Sequence, residues 1–194
     1  MRQISFTLIG KSELLQHNER LANPMDPIVK QISAISKRRN KSDDDFEALA
    51  KLEFTGGLYM NDVGPCIMGT TVMRALLDSS KKEKLGQVVK SYVQPAEMSF
   101  DLVYKGPRTA EELWAKGFYD QRMVKVQASR TLRTRPKFPR GWSSVVTFFY
   151  DPEYIDAGQL ERFMMRAGSA GIGDYRPVFG KFDAEIVAKS DKAA

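Results

Sequence analysis

The order of apolar patterns predicts an α+β sandwich, a mainly antiparallel sheet with helices on one face. Three observations carry that prediction. Ile4, Phe6 and Leu8 alternate with Gln3, Ser5 and Thr7, so the chain opens on a half-buried strand. Phe182, Ala184 and Ile186 repeat the alternation near the other end. Between them, helical spacing recurs in separate blocks divided by glycine and proline.

The first block follows a polar stretch, Gly10 to Asn23, and the sequence Pro24-Met25-Asp26-Pro27, whose two prolines exclude regular helix. Ile28, Ile32 and Ile35 then stand at helical spacing and run into the basic tip Lys37-Arg38-Arg39-Asn40-Lys41. Ser42 is a natural N-cap for a second helix, with Asp43, Asp44 and Asp45 in its first turn, where carboxylates suit the helix dipole. Phe46, Leu49 and Ala50 line one face, and Gly56-Gly57 stop it. The pair forms an αα-hairpin inserted, at about 27–56, between the first strand and the next core helix.

Leu58-Tyr59-Met60 is expected to be a short strand. The segment Gly64 to Thr71 leads into a helix with Val72, Ala75 and Leu76 inward, Thr70 or Thr71 as its cap, and Lys81-Lys82-Glu83-Lys84 at its end. Strands are expected from Val88 to Tyr104, where Met98, Phe100, Leu102 and Tyr104 alternate, followed by a turn at Gly106-Pro107. A short helix spans Thr109 to Lys116 through Leu113 and Trp114. Val145 to Tyr150 is an apolar strand. Asp156 caps a helix carrying Leu160, Phe163, Met164 and Ala167, with Gln159 at the capping-box position. The closing β-α-β unit is that of a ferredoxin-like or RNA-recognition-motif-like half, which places the whole chain, 1–194, in one such domain.

At 42% hydrophobic and 28% charged residues the composition is that of a globular chain. The sole cysteine, Cys66, excludes an internal disulfide framework and a cysteine-cluster metal site. The polar N-terminus and the lack of a long apolar run lead to the expectation of a cytoplasmic protein with no membrane partner. Adjacent carboxylates such as Asp43-Asp44-Asp45 do not converge on one ion, so neither metal nor cofactor is expected. Thirty basic against 24 acidic residues give a net charge of +6, a balance that favours polyanionic partners.

That charge is unevenly spread. Residues 121–150 contain no acid and seven basic residues: Arg122, Lys125, Arg130, Arg133, Arg135, Lys137 and Arg140. As a strand, Lys125, Gln127, Ser129, Thr131, Arg133, Arg135 and Lys137 make one polar and basic face, while Val126, Ala128 and Leu132 make the other. A basic β-hairpin at about 119–142, with Tyr119, Phe138 and Trp142 nearby, suits a single strand whose phosphates track the cations and whose bases stack on rings. The other reading is a solvated sheet face or protruding hairpin, and the acid-free run of thirty residues favours nucleic-acid contact over it. Near the end of the chain, Gly168, Gly171 and Gly173 loosen the backbone ahead of Arg176, a planar fork suited to phosphate. Gly168 is alternatively a helix C-cap followed by a flexible turn. The glycines follow a helix and precede a strand, the reverse of a dinucleotide-binding fingerprint, which sets a nicotinamide or flavin enzyme aside. Gly69, Thr70 and Thr71 open a helix, where free amides and hydroxyls suit a phosphate, or where a threonine serves only as a cap.

Two segments resemble a known family. Gly171-Ile172-Gly173, Arg176 and Phe179-Gly180-Lys181-Phe182 are similar to the glycine-rich loop of the RAMP superfamily of CRISPR-associated RNA-binding proteins. Pro65 to Leu77 resembles the Ile-Pro-Gly-Ser-Ser-Leu-Lys-Gly-x-Leu-Arg segment of CRISPR backbone subunits, with Met68 for the proline, Thr70-Thr71 for the serines and Met73-Arg74 at the lysine-glycine pair. Together they cover under a fifth of the chain. The opening and closing segments also resemble those of small prophage-encoded proteins. The resemblance implies an RNA-recognition-motif-like fold that coats RNA or single-stranded DNA as a filament or ring. On that reading Gly69, Thr70, Thr71 and Arg74 hold one phosphate. Lys125, Arg130, Arg133, Arg135, Lys137 and Arg140 neutralise the backbone, and Gly171, Gly173 and Arg176 close on the next phosphate.

The chain is expected to be a binding protein, not an enzyme. The alternative is an endoribonuclease, metal- or histidine-dependent, because relatives of the family use a histidine near the N-terminus or a loop aspartate to cut RNA. His17, the sole histidine, and Asp26 are the residues that would serve. Their sequence context reads as a contact-making histidine and as a turn aspartate. A further alternative is a phage structural protein or host inhibitor whose basic face docks an acidic protein.

Overall fold

A computed structural model describes residues 1–126 and 129–190. Its elements are β1 (Arg2–Gly10), β2 (Leu14–Leu15), α1 (Pro27–Ser36), α2 (Asp43–Gly57), β3 (Cys66–Met68), α3 (Gly69–Ser80), α4 (Gly86–Tyr92), β4 (Val93–Pro95), β5 (Ser99–Asp101), α5 (Ala110–Ala115), β6 (Tyr119–Val126), β7 (Ser129–Phe138), β8 (Ser143–Tyr150), α6 (Ala157–Ala170) and β9 (Phe182–Ser190). Gln127 and Ala128, read above as part of the basic strand, lie outside the described residues.

The principal sheet has the order β4-β8-β1-β9 with every neighbour antiparallel. α3 lies between β1 and β4 in sequence, and α6 between β8 and β9. That is the β-α-β-β-α-β ferredoxin-like arrangement, and the fold is α+β as the alternating pattern predicts. One face of the sheet is apolar because side chains alternate: Ile4, Phe6 and Leu8 on β1 and Val146 and Phe148 on β8 are all within 1% of full burial. Val72, Ala75 and Leu76 of α3 and Leu160, Phe163, Met164 and Ala167 of α6 close over that face in one core cluster. The other face presents Gln3, Ser5 and Thr7 beside Phe149, Thr147 and Val145, with Ser5 Oγ 2.9 Å from Thr147 Oγ1.

The helix starts follow their capping chemistry. Ser42 and Asp45 form a capping box on α2, Asp156 and Gln159 another on α6, and Thr109 caps α5. Other expectations are corrected. Leu58–Met60 is not a strand; only an isolated bridge joins Met60 to Pro65. The stretch from Val88 to Tyr92 is helical, in α4, before the predicted strands begin. Val89 of α4 and Val93, the first residue of β4, are both buried, so an apolar pair that suits either period is resolved by packing. Gly168 is not a C-cap: α6 runs on to Ala170, and Gly168 faces β9, where a Cβ would meet the Phe182 carbonyl oxygen at 2.1 Å.

Two appendages leave this frame. α1 and α2 form the predicted helical hairpin, and β6 and β7 form a β-hairpin whose base pairs with β2 through Leu14–Phe138 and Leu15–Lys137. α2 packs against β7, where the buried Glu53 carboxylate accepts from Arg133 Nη1 and, at 2.8 Å, from the Thr134 amide.

Candidate nucleic-acid interface

A cleft of about 360 Å³ lies where β2, β3, the start of α3 and the loop after α6 meet. Its walls include Gln16, His17 and Tyr59 on one side, Thr70, Thr71 and Arg74 on a second, and Gly173, Asp174 and Arg176 on a third. The two distant turns singled out in the sequence therefore converge on one concavity.

Its floor is set by Gln16, which is buried and donates from Nε2 to the Cys66 carbonyl at 2.8 Å, while its Oε1 accepts from the Tyr59 amide at 2.9 Å. One side chain thereby ties the chain after β2 to both arms of the Tyr59–Cys66 connection. Above that floor α3 begins. Its N-cap is Met68, and no side chain caps it. Thr70 and Thr71, expected as caps, instead occupy the first turn and line the cleft, so the positive end of the helix dipole lies at this wall with no side chain capping it. Gly69 is too committed to grip a ligand: its amide donates to Met98 O at 2.8 Å, and a Cβ would lie 2.5 Å from Glu97 O.

The opposite wall is built on glycine for a different reason than the sequence suggested. Gly171 and Gly173 have φ of +81° and +79°, and added Cβ atoms would meet Phe179 O at 2.7 Å and Leu15 O at 2.3 Å. The close approach is to the protein's own backbone. It folds the loop down on β2, where Asp174 N donates to Leu15 O at 2.9 Å and Gly180 N donates to Glu13 O at 2.8 Å. Arg176, at the loop's tip, is left exposed.

The basic β-hairpin departs furthest from expectation. Its arginines do not form a free ladder. Arg133 is bound to Glu53, and Arg135, 9% exposed, pairs through Nε with Asp174 at 2.8 Å. Lys137 lies 3.3 Å from Glu13. Arg122 holds Asp120 in a bidentate pair at 2.5 and 2.9 Å and lies 4.8 Å from the ring centres of both Tyr175 and Phe179. These cations brace the closing loop, α2 and the chain before β2, and apart from Asp120 the carboxylates that hold them come from segments far away in sequence. Lys125, Arg130 and Arg140 remain exposed, but none lines the cleft.

Asp26 is also committed elsewhere. It caps α1 through the Ile28 amide at 2.8 Å and pairs with Arg20 Nε at 2.9 Å, away from the cleft. His17 does line it. Lost hydration in the cleft lowers the imidazole pKa, and Arg135 lowers it further, against the opposite pull of Asp174 and Glu53. The neutral ring is therefore favoured in the fold. Its contribution to stability is complete above the unfolded value of 6.5 and is lost as pH falls through the lower folded value. An NMR titration of this sole histidine is expected to give a midpoint below 6.5, and His17→Gln is expected to flatten the fall in stability on the acid side of that value.

The fold and cleft thus define a ferredoxin-like domain with a concavity edged by Arg74 and Arg176 and also lined by Glu19 and Asp174, where β2, the start of α3 and the loop after α6 meet. No family model matches the sequence, and no curated protein matches it. Among solved structures the chain is similar to one in "Cryo-EM structure of the Type III-B Cmr-beta bound to cognate target RNA", at 10% identity and a TM-score of 0.48, over 97% of this chain and 60% of that one. The chain spans about three-fifths of that neighbour's length. Among the described residues no helix is long and apolar enough to cross a membrane, and no three potential ligands cluster to hold a metal ion.

Proposed function

We propose that the protein binds single-stranded nucleic acid, RNA or DNA, in this cleft, in the manner the RAMP-like segments imply. The observation that carries the reading is the convergence of the uncapped α3 start, with Thr70, Thr71 and Arg74, upon the loop bearing Arg176. An uncapped helix start, hydroxyls and two guanidinium groups around one hollow match a phosphodiester chemically. The open sheet face supports the choice of this end of the molecule. An RNA-recognition sheet stacks bases on several aromatic rings of its central strands, whereas here those strands present one half-buried ring, Phe149, with Ser5, Thr7, Val145 and Thr147, beside the carboxylates Asp183 and Glu185 on β9. Binding is sequence-tolerant, since hydroxyls and guanidinium groups suit the sugar-phosphate chain and not particular base edges, and copies assemble along the strand as the backbone-subunit resemblance suggests. Titration of labelled oligo(U) and oligo(dT) at low salt is expected to give saturable binding that weakens steeply as salt rises. No binding to either would refute the reading, and light scattering that shows the same mass with and without oligonucleotide would remove the assembly.

A second reading has its own observation. Between α2 and β6–β7 runs a groove with Phe46, Met123 and Leu132 exposed along it and Arg39, Lys41 and Arg130 at its edge. Apolar anchors rimmed by cations suit an acidic protein segment better than a phosphate chain. Substituting Met123 and Leu132 by serine would abolish protein docking there and leave oligonucleotide binding in the cleft unchanged.

A further inference from the structure

Arg74 belongs to two concavities. Besides edging the cleft, it begins a groove of about 590 Å³ along the outer side of α3 and α4, lined also by Leu77, Lys81, Lys84, Gln87 and Lys90. The groove lining holds four basic residues and no acid, and the sequence pattern had accounted for Lys81 and Lys84 only as a helix stop. Lys81 follows Arg74 by two turns, so their backbones stand about 10 Å apart along α3.

The contrast with the β-hairpin is instructive. There the arginines are held by Glu53 and Asp174. Here Asp78, on the rim, is the acid in reach: it lies 2.7 Å from Lys81 Nζ and 3.7 Å from Arg74 Nε. These side chains are 41–74% exposed, so the pairs are weak and yield to a stronger anion. No ion pair ties Lys84 or Lys90 to an acid among the described residues, and both are exposed. Gly86 lets the stem of Lys81 lie against the turn, since a Cβ there would meet Lys81 Cγ at 2.9 Å. Lys84 ends its turn at φ +61°, a left-handed position that favours glycine or asparagine over lysine.

We propose that this groove is a second phosphate-binding track, continuous with the cleft through Arg74, along which a bound single strand extends over α3 toward Lys84 and Lys90. The ligand is the sugar-phosphate backbone, recognised by charge without base contacts. The inference rests on the reading of the cleft above, and the experiment separates the two.

Fluorescence anisotropy is measured for labelled oligo(U) of about two and about sixteen nucleotides, on the native chain and on K84Q/K90Q. The short oligonucleotide fits the cleft alone, so its affinity is expected to be equal in both proteins. The long one is expected to bind the native chain more tightly, and the double variant is expected to lose about 1.4 from its salt slope, about 0.7 for each phosphate contact. An unchanged slope with the long oligonucleotide would overturn the track while leaving the cleft standing. Failure of both lengths to bind the native chain would overturn both. Inorganic tripolyphosphate is the control: it competes with the short oligonucleotide equally in both proteins, and extra competition with the long one that K84Q/K90Q removes fits the track. Saturable tripolyphosphate binding that K84Q/K90Q abolishes, with no dependence on oligonucleotide length, would make the groove a small-polyphosphate site and overturn the strand path.

Discussion

Replacing Arg74 and Arg176 together by alanine is expected to weaken single-stranded oligonucleotide binding by about 100-fold at low salt. Each guanidinium–phosphate contact is worth about 1.5 kcal/mol, and about 1.4 kcal/mol corresponds to a factor of ten in affinity. Both residues are exposed, and neither is buried against the core. The melting temperature is therefore expected to stay within about 2 °C of the native value. Arg135→Ala is expected to behave in the opposite way. Its side chain is 11% exposed and its partner Asp174 is 30% exposed, so truncation leaves a half-hydrated carboxylate and a loosened loop. The expected cost is about 1–2 kcal/mol of stability, reduced by the water Asp174 still meets. Paired measurements of affinity and denaturation midpoint distinguish the roles. If Arg135→Ala lowered the salt slope with no loss of stability, the assignment of the hairpin cations to bracing would be wrong.

The second large effect is Gly180→Ala, expected to destabilise the fold by at least about 3 kcal/mol. Gly180 has φ +73°, and an added Cβ would lie 1.7 Å from Ile172 O, while Ile172 N donates to Gly180 O at 3.0 Å and so ties the two backbones together. Neither backbone can retreat without unseating the segment from β2. Gly141→Ala is the matched control, with φ +86° but no atom within 4 Å of the added Cβ. It carries only the left-handed penalty of about 1–2 kcal/mol. Urea denaturation of both variants measures the difference, and equal losses would show that the loop is not held by that close approach.

The sequence pattern made the frame of the fold legible because alternation and helical spacing are local. β1, β8, α6 and β9 each bury one face against the same core, so their periods are undisturbed. α4 was misread because Val88, Val89 and Val93 satisfy strand and helix alike, and only the contact of α4 with α3 and β4 decides. The two halves of the cleft were legible as separate turns, Gly69 to Arg74 and Gly171 to Arg176. Their roles were legible only in part. Glycine was expected to approach a phosphate, but Gly69, Gly171 and Gly173 approach Glu97, Phe179 and Leu15. The run without acids from 121 to 150 suggested unpaired cations, yet its partners Glu53, Glu13 and Asp174 come from other parts of the chain, which no reading of the run itself could reveal. Gln16 and Tyr59, which shape the floor, had no signal at all: a buried glutamine is recognised by its two backbone partners, and those are 43 and 50 residues away.

Photocrosslinking tests the central claim most directly. Oligo(U) carrying 4-thiouridine is irradiated on the native chain at low salt, and the adducts are mapped by mass spectrometry. Adducts on His17, on Tyr59 or within residues 70–74 and 172–176 are the predicted result, since these line the hollow where the helix start meets the closing loop. Adducts confined to the hairpin around 125–140, with the cleft unmarked, would contradict it.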